Sequence, residues 1–421
     1  MSKLFKTEDL WAIWIGFFIF LMAPFIDSVP KPTKWDVNIF SALNIEQISF
    51  FILIAIGLIT IFGLSVKVMN QSFKKFSLAF VFIFSLSIIA LVMSSQVTVK
   101  AYGFGYAFWA LLIGLIISNT IGVPKWVEPA LKTEFFVKTG LVLLGAEILF
   151  PKMLDIGLPA LIVAWVVTPI VLISMYYFGT RYLKLDKNLS VVISTATSVC
   201  GVSAAIAASA ASKGKKEYLT LAVSMTLIFT VIMMIIMPAF VQFLGLSPEV
   251  GGAWIGGTID ATGAVIAAGA VLGQEAMNVA AIVKMIQNIM IGFVAFIIAI
   301  IWTSNIKSET KKSSKISFLE EVWKRLPKFI LGFIGASLLF SFILYPSIGE
   351  EITKELTDVT KSYRGLFFVL AFVSIGLESN FKELKAHMSG GKPIILYLVG
   401  QTFNILLTLL VAWLVFDGII F

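Results

Sequence analysis

Residues 218–244 read YLTLAVSMTLIFTVIMMIIMPAFVQFL, a stretch that contains no charged side chain. A helix needs roughly 20 apolar residues to cross the hydrocarbon core of a bilayer, and this stretch is long enough. Similar stretches recur along the whole chain. Strands are not expected in them, because an open sheet edge cannot face lipid. The pattern therefore predicts a helical protein that crosses the membrane many times.

Twelve other apolar segments flank this one on both sides. They lie at about 10–26, 47–66, 76–93, 103–121, 134–150, 159–178, 191–211, 253–271, 278–303, 329–346, 364–379 and 393–416. Of the 421 residues, 59% are hydrophobic and only 13% are charged, whereas a soluble protein carries about 25% charged residues. The predicted fold class is all-α and polytopic, with about 11–13 membrane segments. A soluble enzyme is excluded.

The composition also excludes several kinds of chemistry. Cys200 and His387 are the single cysteine and the single histidine, whereas zinc sites need a cluster of such ligands. The phosphate-binding motif GxxxxGK[ST] does not occur. We therefore expect no enzyme, no metal and no cofactor. The net charge of +8 is explained by Lys and Arg in cytoplasmic loops, so no nucleic-acid partner is expected.

The loop charges predict an orientation. Basic stretches at 67–75, 181–187 and 305–328 fall on one side when the spans alternate, and the acidic stretch 349–358 falls on the other. Basic loops stay in the cytoplasm. We predict a multi-pass protein of the cell inner membrane with a cytoplasmic N-terminus and an outside C-terminus.

Two segments break the pattern of simple spans. Segment 191–211 is basic at both ends, and segment 253–271 is flanked by Glu249 and Glu275. Each could be a re-entrant hairpin or an interrupted spanning helix. Both alternatives give the same topology downstream, because the two segments change together. The sequence leaves this choice open.

Internal symmetry divides the chain into leading helices at 1–100 and two repeats at 101–245 and 250–421. Val-Lys pairs at 137–138 and 283–284 occupy like places in two spans. Segment 191–211 then pairs with 364–379, each interrupted by small or polar residues. Five spans per repeat make the repeats inverted, as in many secondary transporters. A rival alignment matches 145–150 with 376–381.

The densest polar cluster within a span is Ser194-Thr-Ala-Thr-Ser-Val-Cys-Gly-Val-Ser203. Ser and Thr compete for backbone hydrogen bonds, and Gly loosens a helix. A break here would expose N–H groups at a half-helix N-terminus, which attracts anions. The alternative is close helix packing through small residues, which explains 204–211 well. The predicted substrate-binding residues are Thr195, Thr197, Ser198, Cys200, Gly201 and Ser203.

A second cluster, Gly256-Gly-Thr-Ile-Asp-Ala-Thr-Gly263, places one carboxylate between glycines in an apolar span. We predict that Asp260 couples transport to an ion, either H⁺ or Na⁺. Asp260 could instead cap a half-helix by accepting backbone N–H bonds. Thr258, Thr262 and Gly263 are predicted to contact substrate.

Lys284, Gln287 and Asn288 form a third polar group, and their i, i+3, i+4 spacing places them on one helix face. We predict that all three contact substrate. Lys284 would neutralise Asp260 or balance an anionic substrate, and snorkelling to the interface is the alternative.

Other polar residues carry weaker predictions. Lys138 could lie at the membrane interface, and Glu147 and Glu378 lie near span ends, where a solvated role is at least as plausible. Gln401 and Asn404 share a helix face, and interhelical hydrogen bonding is the better interpretation for them.

Three stretches, 139–148, 194–208 and 254–269, resemble the YeiH-type family of bacterial inner-membrane proteins, for which sulfate export is proposed. The similarity covers about 100–416. It implies membership of the superfamily of cation–proton antiporters and anion transporters. It further implies inverted repeats, interrupted helices that cross at the midplane, and an elevator-like motion of a core against a scaffold.

The leading hypothesis is a secondary active transporter of a small anion, such as sulfate, sulfite or an organic anion. Substrate would lie between the breaks near 198–203 and 258–263, with Lys284 supplying charge. A cation–proton antiporter that uses Asp260 as ion carrier is the alternative, and a non-transporting receptor or scaffold is a third class. The expected partners are a small anionic solute and the lipid bilayer, and the oligomeric state stays open, with a homodimer among the options.

Overall fold

The computed structural model describes residues 7–101, 105–304, 323, 326–381 and 391–417. In chain order, the α-helices of these residues are α1 (Glu8–Met22), α2 (Ile45–Val68), α3 (Phe73–Ser94), α4 (Val97–Ala101), α5 (Tyr106–Thr120), α6 (Thr133–Leu144), α7 (Phe150–Tyr177), α8 (Lys187–Ser198), α9 (Val202–Ser212), α10 (Lys216–Phe243), α11 (Pro248–Thr258), α12 (Thr262–Leu272), α13 (Gln274–Ser304), α14 (Phe329–Leu338), α15 (Tyr345–Glu378) and α16 (Gly391–Phe416). They are joined by 3-10 turns at Ala23–Phe25, Ile39–Ala42 and Glu128–Ala130, and by π turns at Phe178–Tyr182 and Leu339–Leu344.

The predicted all-α membrane class is confirmed. Among the described residues, 8 helices are long and apolar enough to cross a membrane. Tyr106–Thr120, Val202–Ser212 and Thr262–Leu272 are shorter apolar helices. Within the same residues, the only extended pairing is one isolated bridge between Trp35 and Gln96. Each of the thirteen predicted apolar segments contains helix in the residues that the structure describes.

The chain forms two compact units, each built from two separate stretches of sequence. Unit 1 comprises Met1–Met153 and Lys328–Asn380, and unit 2 comprises Leu154–Pro327 and Phe381–Phe421. The predicted repeats at 101–245 and 250–421 are defined by internal symmetry, whereas the two units are defined by internal contacts. The repeats therefore stay a prediction.

Unit 1 is held together where α5 and α15 cross at two glycines. A Cβ on Gly114 would lie 2.6 Å from the Val373 carbonyl oxygen, and one on Gly376 would lie 2.5 Å from the Leu111 carbonyl oxygen. Small residues let membrane helices approach to backbone contact. The Ser118 hydroxyl donates to the Gly376 carbonyl at 2.9 Å and fastens this crossing.

Residues 187–212 in unit 2 form a helical hairpin, here called the first hairpin. Its α8 begins at the C-terminal end of α13, where the Trp302 indole donates to Asn188 Oδ1. Its tip lies near the middle of α13, where Lys284 Nζ donates to the Val199 carbonyl at 2.6 Å. The returning α9 packs against the part of α13 in between, in a cluster of Val199, Cys200, Ala204, Ala207, Ile291 and Ala295.

Residues 248–272 form the second hairpin, which enters from the opposite end of α13. Gly252 in α11 and Gly269 in α12 both touch the first turn of α13. An added Cβ would lie 2.4 Å from the Ala276 carbonyl oxygen and 2.8 Å from Met277 Cα, respectively. The tip lies further along α13, where Asn288 donates to a hydroxyl at the start of α12. In the second hairpin, α11 therefore runs along α13 towards the tip and α12 runs back.

The choice that the sequence left open is thereby decided. Both segments are helical hairpins rather than interrupted straight helices, and their tips approach each other beside the middle of α13. The predicted terminus orientation is unaffected, because the two segments change together, and it stays a prediction.

One predicted match does not share this local structure. Segment 364–379 was expected to be interrupted like 191–211, but α15 continues through Gly376 and Leu377 and ends at Glu378. Its one non-helical residue lies earlier, at Gly349, with φ +82°. Gly376 is in close contact with α5, so its small size serves helix packing rather than a break in the helix. Most of the predicted basic loop at 305–328, and His387, lie outside the described residues.

Candidate functional site

The two hairpin tips meet at Gly201 and Asp260. Gly201 has φ +64° and ends the turn between α8 and α9. A Cβ there would lie 2.4 Å from Thr226 Cγ2 and 3.2 Å from Asp260 Cβ. Only glycine suits both the left-handed backbone and the lack of space. The predicted breaks near 198–203 and 258–263 are therefore brought together.

Lys284 on α13 holds the first tip. Its side chain is 1% exposed, and Nζ donates at 2.6 Å both to the Val199 carbonyl and to Gln287 Oε1. The last carbonyls of α8 have no partner within their own helix, and a cation satisfies them well. Snorkelling is excluded as the role of Lys284, because the ammonium is directed into the protein.

Gln287 links the two tips. Its Nε2 lies 3.1 Å from the Ser198 carbonyl and 3.2 Å from the Gly257 carbonyl, so one amide serves the last turns of α8 and α11. The same nitrogen lies 3.2 Å from Thr168 Oγ1 on α7. Asn288 Nδ2 donates to Thr262 Oγ1 at 3.2 Å. The predicted polar face of α13 thus contacts both hairpins.

A polar stripe on α16 covers the tips from another side. Gln401 Nε2 donates to the Thr258 carbonyl at 3.1 Å, and Asn404 Nδ2 lies 3.5 Å from the Thr197 carbonyl. Interhelical bonding of Gln401 and Asn404 is therefore confirmed. The full stripe, at spacings of 4, 3 and 4, is Tyr397, Gln401, Asn404 and Thr408.

Tyr397 is the site residue that sequence reasoning missed. Its hydroxyl donates to Asp260 Oδ2 at 2.5 Å, and both side chains are at most 1% exposed. Its spacing from Gln401 was the available signal. The apolar neighbours of Tyr397 concealed it, because tyrosine is common in membrane segments as an interfacial residue.

Asp260 does not cap α12 in the described structure. The N-cap residue of α12 is Ala261, with no side-chain cap bond among the described residues. Within the same residues Asp260 Oδ1 has no hydrogen-bond partner, while Oδ2 is held by Tyr397. The polar contacts of Asp260 and Lys284 thus anchor different hairpins, the second and the first respectively.

Hydroxyl groups divide into two kinds near the first tip. Thr195 and Thr197, two of the predicted substrate contacts, donate back to the Val191 and Ile193 carbonyls of their own helix. Four other buried hydroxyls have no hydrogen-bond partner within the described residues, namely Ser194, Ser198, Thr226 and Thr230. Those four hydroxyls are candidates for contact with a ligand, and sequence reasoning missed the two on α10.

The other predicted contacts lie at the tips with different exposure. Cys200 is buried and Ser203 is exposed on the first turn of α9. Thr258, Thr262 and Gly263 are buried around the second tip. Substrate contact by any of these residues stays a prediction.

The remaining acidic and basic candidates lie in unit 1. Glu147 Oε1 lies 2.5 Å from Arg364 Nε, and both side chains are less than a tenth exposed, so the solvated interpretation of Glu147 is wrong. Lys138 pairs with Asp9 at 2.9 Å. Glu378 is exposed and accepts a hydrogen bond from Thr133 at 2.9 Å.

Comparison with known proteins gives one consistent family. The family model described as conserved hypothetical protein 698 matches residues 78–397. A UPF0324 membrane protein of Rhodopirellula baltica is 50% identical over 94% of this chain and 73% of its own length. One of Nitratidesulfovibrio vulgaris is 48% identical over 89% of this chain, which spans only 65% of that relative.

A more distant relative carries the name that the sequence resemblance suggested. The UPF0324 inner membrane protein YeiH of Escherichia coli is 25% identical over 78% of this chain and 88% of its own length. No solved structure matches the chain. The resemblance to the YeiH-type family is confirmed.

Proposed function

The chain belongs to the UPF0324 family of membrane proteins, and from that premise we propose that it is a secondary transporter of a small anion. The observation that carries this proposal is the buried Lys284 beside the tips of two helical hairpins. Ionisable side chains inside membrane segments commonly mark a substrate or ion path. Non-helical backbone at membrane depth is tolerated where protein buries it or where it lines a cavity.

The first tip supports an anionic substrate, because it offers donors. Lys284 brings a positive charge, and Ser194, Ser198, Thr226 and Thr230 bring hydroxyls that lack partners within the described chain. The first turn of α9 adds backbone N–H groups, which have no side-chain cap among the described residues. Sulfate, sulfite and organic carboxylates all accept hydrogen bonds from such groups. We infer a small oxyanion as the substrate class.

The second tip supports coupling to an ion through Asp260. A carboxylate withdrawn from water needs a compensating charge or proton, and Asp260 Oδ1 has none of its hydrogen-bonding capacity used within the described residues. The same observation favours the alternative function, a cation–proton antiporter with Asp260 as carrier. Proton release when Na⁺ or Li⁺ is added to proteoliposomes would favour the antiporter. Uptake of an oxyanion without any cation dependence would exclude it.

Relatives from Salmonella and Escherichia coli are called inner membrane proteins, and we place this chain in the same membrane. The cytoplasmic N-terminus and the elevator-like motion implied by the family resemblance belong to the proposal. Cysteine labelling of the two termini in intact cells tests the orientation.

The central experiment is a replacement of the buried lysine. Purified protein is screened for thermal stabilisation by sulfate, sulfite, thiosulfate and small carboxylates, and the best anion is then tested for uptake in proteoliposomes. Lys284→Met should abolish both stabilisation and uptake, because it removes the positive charge and keeps the side-chain length. Lys284→Arg keeps the positive charge and should retain part of the uptake. It thereby separates the loss of charge from a loss of folding.

Lys216→Met is the matched control, because Lys216 is exposed at the start of α10 in the same unit. It should transport like the natural protein. Wild-type protein that responds to none of these anions, or a Lys284→Met variant with full uptake, would contradict the proposed function.

A further inference from the structure

The surroundings of the second tip contain a set of buried oxygen atoms, of which the proposed function uses only Asp260 Oδ1. Four side-chain oxygens there have no hydrogen-bond partner within the described residues: Thr258 Oγ1, Asp260 Oδ1, Asn288 Oδ1 and Gln401 Oε1. Each of the four side chains is at most 4% exposed. They come from the second hairpin, α13 and α16.

Three of these side chains are oriented by their other polar atom. Gln401 Nε2 donates to the Thr258 carbonyl at 3.1 Å and contacts Met233 Sδ at 2.8 Å, which leaves Oε1 without a partner in the described residues. Asn288 donates through Nδ2 to Thr262 Oγ1. Asp260 uses Oδ2 to accept from Tyr397. These contacts hold Gln401 and Asn288 against residues 258–262 and hold Asp260 against Tyr397, and each side chain keeps one oxygen without a partner in the described residues.

We propose that these four oxygens form a binding site for a dehydrated monovalent cation, Na⁺. The inference deepens the proposed function, since it names the coupling ion of the same site. Carboxylate, amide and hydroxyl oxygens are the ligands that hard cations take. One Na⁺ neutralises the single carboxylate and satisfies all four oxygens at once.

Other occupants fit this donor set less well. A proton on Asp260 would satisfy one oxygen and leave the two amide oxygens without donors. One water molecule and the Thr258 hydroxyl together have three protons for the other three oxygens, but they leave the charge of the buried carboxylate uncompensated. Divalent Ca²⁺ takes six to eight oxygen ligands, several of them carboxylates, whereas this turn holds one. A Cβ added at Gly201 would lie 3.2 Å from Asp260 Cβ, and this crowding beside the carboxylate is our reason for proposing the small Na⁺ rather than K⁺.

Binding of the cation at this site would also stabilise the position of the second hairpin. Na⁺ bound between Asp260, Asn288 and Gln401 ties the tip of the second hairpin to α13 and α16. Without the cation, the tip keeps only the hydrogen bonds described above. Cation binding should therefore reduce the opening of the second hairpin and leave the base of the first hairpin unchanged.

Direct binding of ²²Na⁺ to the purified full chain tests the proposal without any variant. We expect saturable binding that Li⁺ competes and that choline does not, at constant ionic strength. Asp260→Asn and Gln401→Leu should each weaken binding at least tenfold. Asn288→Ala should weaken binding as well. Asn278→Ala is its matched control, because Asn278 is half-buried near the start of the same helix and accepts a hydrogen bond from Gln274 there, and it should bind like the natural protein.

The outcomes separate this inference from the anion proposal. In Lys284→Met, which should lose anion uptake, ²²Na⁺ binding should persist. Na⁺ binding by a protein that binds no anion would overturn the anion proposal alone. Anion uptake with no saturable ²²Na⁺ binding, or equal ²²Na⁺ binding by Asp260→Asn, would overturn the cation site alone.

Discussion

The two hairpins have the same shape and opposite chemistry. Around the first tip, the unsatisfied groups within the described residues are hydroxyls, and the fixed charge is the Lys284 ammonium. Around the second tip, they are mostly acceptor oxygens, and the fixed charge is Asp260. Both tips end a half-helix whose last carbonyls are satisfied by α13 or α16.

The difference indicates that the turn of a hairpin does not by itself decide which ligand charge is bound there. The backbone of each tip supplies half-helix ends, and the neighbouring full-length helices decide which charge is stabilised there. α13 contributes to both tips, because Lys284 and Asn288 are one helical turn apart on the same face. If this comparison is right, substitutions should affect the two tips separately unless they touch Gln287.

The largest expected effect is on the charge of the second tip. Asp260→Ala should reduce gradient-driven uptake in proteoliposomes to background, because the ion-binding carboxylate is removed. Glu275→Gln, at an exposed position beside the same hairpin, is the control and should transport normally. Unchanged uptake by Asp260→Ala would remove Asp260 from the coupling role.

The next effect is on the turn of the first tip. Gly201→Ala should lower the free energy of unfolding by about 2–4 kcal/mol, from the left-handed backbone and from overpacking. The added methyl meets Thr226 Cγ2 at 2.4 Å. Denaturant titration in detergent micelles measures this loss, and Thr226→Ser in the same chain should restore part of it.

Gly245→Ala provides the matched control for Gly201→Ala. Gly245 also has a positive φ, +62°, but in the described structure no heavy atom lies within 4 Å of an added Cβ. It should lose only about 1–2 kcal/mol from backbone strain. Equal losses for the two variants would mean that close contact at the tips contributes nothing.

A smaller effect tests the link between the tips. Gln287→Met should lower the free energy of unfolding by about 1–3 kcal/mol, because the Ser198 and Gly257 carbonyls lose their donor. Hydrogen exchange should rise at both tips in this variant. In Gln401→Met it should rise at the second tip only, and a rise at both would contradict the separation of the two hairpins.

The smallest effects concern two tryptophans, each bonded to one hairpin. Trp302→Phe removes the bond to Asn188 at the base of the first hairpin, and Trp254→Phe removes a 2.9 Å bond from the second hairpin to the Ile405 carbonyl. Each lost hydrogen bond should lower stability by about 0.5–1.5 kcal/mol. Hydrogen exchange should increase in the affected hairpin alone, and exchange in the other hairpin is the internal control.

Much of the candidate site followed from residue type and spacing. Asp260 and Lys284 stood out because charged groups inside apolar segments are costly and therefore rare. The spacing of Lys284, Gln287 and Asn288 placed them on one face, and the structure brings that face to both tips. The Ser and Thr run around Cys200 marked a helix break, which occurs at Val199–Gly201.

Other parts did not follow, for a physical reason that differs between residues. Thr195 and Thr197 were expected at the substrate, which stays a prediction; that their hydroxyls bond back to their own helix was not foreseen. Glu147 was placed near a span end, and its partner Arg364 is more than two hundred residues away in sequence. Tyr397 carried no charge and no break, so nothing local distinguished it from an interfacial aromatic residue.

The sequence by itself determined that this protein lies in a membrane and where two of its helices are interrupted. Hydropathy and helix propensity suffice for both, because they act over a few neighbouring residues. Only the tertiary structure decided that the chain reverses at each break, that the hairpins enter from opposite ends of α13, and that Tyr397 holds Asp260. A break has the same local composition whether the chain continues or turns back. The direction depends on which distant helix satisfies the exposed carbonyls, and that is a property of packing.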